Sequence, residues 1–133
     1  MGRCEVYYNL HKKCFSIRSL EKEDYGKVVM HANEVVMDDV KFVVREGGRK
    51  QVLREGRKNV HAFVRGTLVD ACVKKGPITQ HYAKVDNSYK PFYRATYNPY
   101  KYDSFVNIFT EEPVRDAGRA LLLNQDRPVI MYQ

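Results

Sequence analysis

No apolar run in this sequence approaches the roughly 20 residues of a membrane-spanning helix, and the N-terminus has no signal-peptide core, so a soluble, cytoplasmic protein is expected. Met1-Gly2 opens like a myristoylation signal, but Val6 stands where Ser or Thr is required. Cysteine is scarce: Cys4, Cys14 and Cys72 are odd in number and form no CxxC pair, which points to a reduced intracellular chain. His11, His31, His61 and His81 are scattered without zinc-ligand spacing, so neither a metal nor another cofactor is expected. Catalytic signatures are missing too: there is no GxSxG, P-loop, GxGxxG or HExxH. Two-histidine phosphoesterases need HxT or HxS twice, whereas here the tripeptides are His31-Ala32-Asn33, His61-Ala62-Phe63 and His81-Tyr82-Ala83. Cys14 and Cys72 lack any nucleophile signature. No catalytic residue is assigned, and binding without chemistry is the expected activity.

What is present is basic and aromatic. The chain has 133 residues, 44% of them hydrophobic, which suits a single domain over residues 1–133 with a real core. Lys and Arg number 23 against 16 acids, a formal charge of +7 that favours an anionic partner, although a solvated surface carries such a charge equally well.

Alternation marks a first strand through Cys4, Val6, Tyr8 and Leu10 and a second through Phe15 and Ile17, joined by His11-Lys12-Lys13. The stretches 27–32 and 34–44 continue the pattern, with Asp38-Asp39 as an interruption, giving an antiparallel meander of about four strands. Glu46 onward reads as a short basic helix. Val52, Leu53 and Gly56 fall on one side of it and Lys50, Arg54 and Arg57 on the other. Arg49 lies on the apolar side, either as a structural ion pair or as an anion ligand. From Val60 a strand alternates again, with Val60, Ala62 and Val64 on one face and His61, Phe63 and Arg65 on the other, a mixture suited to a base plus a phosphate. Ile78 to Val85 is read as a further strand.

Of the 16 aromatic residues, 10 Tyr and 6 Phe, nine lie from Tyr82 to Phe109, interleaved with Lys84, Lys90, Arg94 and Lys101. Such a segment serves a nucleotide site or an oligomer interface. Thr110-Glu111-Glu112-Pro113 then reads as a helix start, followed by the stripe Val114, Ala117, Gly118, Leu121 and Leu122. On that helix Arg115 and Arg119 would share a flank and reach one anion. Val129 to Tyr132 closes the chain as a strand. The fold class expected is therefore α+β: an N-terminal antiparallel sheet, a short basic helix in the middle and a C-terminal helix.

Four segments, Val6 to Ile17, Gly26 to Ala32, Gly56 to Ala62 and Thr96 to Tyr100, resemble a family common in tailed-phage and prophage genomes, the first family of Thoeris anti-defence proteins. The resemblance implies a non-enzymatic sponge in the host bacterial cytoplasm. It would bind the cyclic ADP-ribose isomers made by TIR-domain enzymes, with cyclic oligonucleotides at a separate site in some members, and block activation of the host effector. It also implies a homo-oligomer, from dimer to hexamer, with pockets near subunit boundaries. By the same resemblance Asn98, in Tyr97-Asn98-Pro99, would bond the ligand. Tyr89, Phe92 or Tyr93 would stack on the base, and Arg115 with Arg119, and Arg57 with Lys58 before His61, would neutralise phosphates. The residues alone also allow a basic nucleic-acid-binding inhibitor or regulator, for which a polymer would be the partner.

Overall fold

The computed structural model describes residues 2–56, 60–82 and 92–133. Among these residues, nine strands form one antiparallel sheet in the order β3-β2-β1-β5-β4-β8-β9-β6-β7. They are β1 (Arg3–Asn9), β2 (Cys14–Ser19), β3 (Val28–Ala32), β4 (Glu34–Val44), β5 (Ala62–Cys72), β6 (Tyr93–Thr96), β7 (Val106–Asn107), β8 (Asp116–Asn124) and β9 (Pro128–Tyr132). Two short helices accompany them, α1 (Glu46–Glu55) and α2 (Pro77–Tyr82).

Register follows from the alternation in sequence. Val6 faces Ile17 on one side and Val64 on the other, Phe42 faces Val64, and Leu122 lies between Val35 and Ile130. These residues share the inner face, where Val6, Phe15, Ile17, Val35, Met37, Val64, Ala120 and Leu122 pack into one core. Each of the larger side chains, removed from water, contributes about 1.5–3 kcal/mol before entropy is charged against it. The sheet curls about this face. The Asn124 amide donates to the carbonyl of Lys13 at 2.8 Å and ties β8 to the β1–β2 turn. On the outer face a smaller cluster of Val36, Leu121 and Leu123 lies under Ile78 of α2. Buried Glu34 anchors that helix by accepting the amides of Gly76 and Ile78, both at 2.9 Å, and the Thr79 hydroxyl.

The expected C-terminal helix is not formed. Residues 116–124 are β8, a central strand between β4 and β9, so the fold is a large sheet with two short helices. Ala120 and Leu122 fill the inner face while Leu121 and Leu123 fill the outer one. A strand buried on both faces is apolar without alternation and mimics a helical stripe. Thr110 caps no helix: Asn107 Oδ1 accepts the amides of Phe109 and Thr110, and Glu111 adopts a positive φ of 59°. A second correction concerns Ile78, which begins no strand but belongs to α2; residues 83–85 lie outside the described ones.

The N-terminal strands are placed as expected, except that the meander stops after β3. Strand β5 inserts between β1 and β4. The Asp38-Asp39 interruption is a bulge in β4, with Asp39 at φ 51°. Helix α1 carries Glu46 in its first turn and Arg54 in its last, both favourable to its dipole, and Gly56 ends it at φ 66°.

Candidate functional site

The curled inner face is not filled to its end. A cavity of about 990 Å³ lies between the β1–β2 hairpin, the start of β5, α1 and the segment from Ala95 to Phe105. Its floor is Val6, Phe15, Val64, Leu122 and Ile130, and its walls include Tyr8, Val52, Tyr97 and Phe105. The exposed residues Leu10, His11, Val60, Tyr100 and Arg127 stand at its rim. A neighbouring groove of about 410 Å³ shares Ala95, Thr96, Arg127, Pro128 and Ile130 with it and adds Arg94 and Asp126.

The cavity's buried polar feature is a pair. His61 Nε2 and the Tyr97 hydroxyl lie 2.8 Å apart, their rings edge to face with centroids at 5.5 Å. Burial pushes the Tyr97 phenol up to about 12, against the opposing pull of the Arg49 charge, so it stays neutral over the physiological range. A hydroxyl and an imidazole placed in this way can exchange hydrogen bonds with the polar edge of a base. Tyr97 also packs on Phe105, with centroids at 5.2 Å, and Phe105 on Phe42 at 5.3 Å, so the aromatic wall is held by the core.

Helix α1 closes one side because Gly48 lets it approach: a Cβ there would sit 2.6 Å from Cβ of His61. Arg49 fastens the closure, its Nε donating to the carbonyl of Tyr102 at 3.0 Å while Nη1 pairs with Glu46 at 3.2 Å. The structural role open to Arg49 is thus occupied.

The sequence candidates scatter over the molecule. His61 lines the cavity, and Arg49 and Asn98 brace its wall. Asn98 spends its Oδ1 on the amide of Tyr100 at 2.9 Å and its carbonyl on Tyr102 at 2.8 Å, folding the loop that carries Tyr97. Tyr93 is 55% exposed, with its ring against Tyr132, and Phe92 packs with the outer-face cluster around Ile78. Arg119 also lies on the outer face. Its Nε and Nη2 grip both oxygens of Asp38 at 2.8 and 3.1 Å, which holds the Asp38 carboxyl below the usual carboxylate range and raises Arg119 further. Arg115 is exposed just before β8, and its carbonyl accepts the amide of Phe42. In an extended chain four residues span about 13 Å, so Arg115 and Arg119 do not share an anion as they would on a helix. Arg57, Lys58 and Tyr89 lie outside the described residues.

Sequence reasoning missed the walls Tyr8, Tyr97 and Phe105 and the rim residue Arg127. The signal for Tyr8 was there: it sits in phase with Cys4 and Val6 of β1, which marks a ring directed at the core rather than at solvent, and Tyr97 follows the end of β6 two residues after inward-facing Ala95.

Comparison with known proteins bears on origin. The family model described as Mycobacterium phage L5 gene 82 protein matches residues 1–130. The gene 82 protein of Mycobacterium phage L5 is 33% identical over 126 residues, covering 90% of this chain and 89% of that protein. No solved structure matches. With the match running over nearly the whole sheet, the chain belongs to the phage L5 gene 82 protein family.

Proposed function

We propose that this phage protein is a non-enzymatic sponge, one that sequesters a cyclic nucleotide immune signal of the cyclic ADP-ribose type in the cavity of its inner face. The observation that carries this reading is a cavity of about 990 Å³ with aromatic walls and the hydrogen-bonded pair of His61 and Tyr97 in its lining. Its size lies at the upper end of the roughly 300–1,000 Å³ usual for small-molecule sites. Tyr97, Phe105 and Tyr8 offer faces to a purine, His61 and Tyr97 offer bonds to its edge, and Arg127 and Arg94 stand beside the adjoining groove for a diphosphate. In this proposal the phosphates meet different arginines from those expected on the C-terminal helix. The resemblance to Thoeris anti-defence proteins supplies the class of ligand. The homo-oligomer it implies belongs to the same proposal and is read by sedimentation.

A thermal-shift panel of cyclic ADP-ribose isomers and cyclic oligonucleotides tests the reading, because a ligand that binds only the folded state raises the melting temperature. At least one member should give a saturable rise, and heat denaturation should return that molecule intact. A panel without any shift, or recovery of a cleaved product, would overturn the proposal.

A further inference from the structure

On the outer face of the same strands, three guanidiniums converge on one buried carboxylate. Glu5 of β1 is 1% exposed and stands in register between Arg18 of β2 and Arg65 of β5, with Lys41 of β4 next in the row. Arg65 Nε donates to Glu5 Oε1 at 3.1 Å and its Nη2 makes a closer contact with the same oxygen. Arg45 reaches in from the start of α1, with Nη2 at 3.3 and 3.4 Å from the two oxygens. Arg18 Nη1 is 3.9 Å from Oε2. Aromatic rings hold these cations in place: the guanidinium carbon of Arg45 is 4.4 Å from the Phe63 centroid, and that of Arg18 is 5.5 Å from Tyr7 and 5.6 Å from Phe63.

The charges do not balance. Among the described residues, three guanidiniums against one carboxylate leave two positive charges, and each guanidinium carries five N–H donors while the carboxylate has about four acceptor positions. Arg18 Nε is buried without a hydrogen-bond acceptor among the described residues. The remaining donors can be reached from outside, since the side chains of Arg45 and Arg65 are 49% and 35% exposed. Such a cluster is completed by an oxyanion that brings about two negative charges and several acceptor oxygens. Phosphate does both, and guanidinium pairs bind it in fork geometry.

We infer that Arg18, Arg45 and Arg65 form a phosphate-binding site on the outer face, separate from the inner cavity and independent of what that cavity holds. Glu5 sets its affinity: it orients the three side chains and competes for their donors.

The test is calorimetric titration and thermal shift with sodium pyrophosphate, against sodium chloride of equal ionic strength. Wild type should show saturable binding that chloride does not reproduce. Arg45→Gln, at a half-exposed position, should fold and bind at least about fivefold more weakly. Glu5→Gln should bind pyrophosphate more tightly and show the larger rise in melting temperature, a gain that a purely structural ion cluster does not predict. If Glu5→Gln does not fold, Arg45→Gln and Arg65→Gln decide alone. A ten-residue oligothymidylate run in parallel identifies the source of the phosphate: binding lost in Arg45→Gln and tighter than pyrophosphate assigns the site to a nucleic-acid backbone, and weaker binding assigns it to a small phosphorylated ligand. Absence of saturable pyrophosphate binding, or affinity unchanged in both arginine variants, would overturn the inference.

Discussion

On the inner face of the sheet His61 and Tyr97 share a single hydrogen bond among apolar side chains, while on the outer face around Glu5 guanidiniums form ion pairs with a carboxylate. The difference follows from what each face is packed against. The inner face is enclosed by apolar side chains from most of the strands, where an ion would meet a desolvation penalty of several kcal/mol. The outer face beside β1 and β2 stays near water, and its guanidiniums can keep one side solvated while covering Tyr7 and Phe63. One strand therefore borders both features: Ala62, Phe63 and Val64 line the aromatic cavity, and Arg65 belongs to the cationic cluster.

This contrast can be broken by substitution. Truncating the enclosed core should cost most: Ile17→Ala, at a fully buried inner position, is expected to lose about 3–4 kcal/mol in urea unfolding. Next comes Glu5→Ala, which leaves three guanidiniums uncompensated. With the arginines partly solvated, a loss of about 2–3 kcal/mol is expected, and added salt should recover part of it. A smaller effect on Glu5→Ala than on an exposed acid such as Glu23 would mean that the cluster is not coupled.

Tyr97→Phe removes one hydrogen bond from His61 and should cost about 1 kcal/mol. It also carries a pH signature. The folded phenol titrates near 12, above its unfolded value, so its contribution is complete below about pH 10 and is lost as pH rises toward 12. Burial raises the Cys4 thiol to about 11 in the same direction. Wild type should therefore lose stability steadily above about pH 9, and Tyr97→Phe should lose it less steeply; an equal slope would remove the buried phenol from the account.

The smallest effect is expected at Asp38 and Arg119, whose pair is partly exposed: Arg119→Gln should cost under about 1 kcal/mol. Because the Asp38 carboxyl is lowered in the folded state, its contribution is present above about pH 4 and disappears as pH falls through the lowered value. Chemical denaturation of wild type and variant should converge in that acidic range.

Much of the strand pattern was legible from residue order alone. Cys4, Val6 and Tyr8, or Ala62, Val64 and Gly66, show period two because one side of each strand meets the core and the other meets polar surroundings. Leu121, Leu122 and Leu123 hide it, since both sides are covered, and only the neighbours β4, β9 and α2 reveal the element as a strand. The same error changed where two candidate arginines lie. Read as a helix, residues 114–122 bring Arg115 and Arg119 together; as an approach and a strand, they send Arg119 to Asp38 and leave Arg115 exposed. The aromatic segment was visible as such, but which ring faces inward depends on β6 pairing with β9, a contact that links residues 35 to 39 apart. The arginine cluster needs Glu5, Arg18, Arg45 and Arg65 from four segments, and no local pattern joins them.

Hydrogen exchange with a bound cyclic ADP-ribose isomer tests the central claim most directly, because it locates the ligand as well as detecting it. Amides of Val60 to Val64, Ala95 to Tyr97 and Tyr100 to Phe105 should be protected on binding, with those of β3 unchanged. Protection confined to β3 or to the surroundings of Arg115, with the inner-face segments exchanging as in the free protein, would contradict the assignment of the cavity.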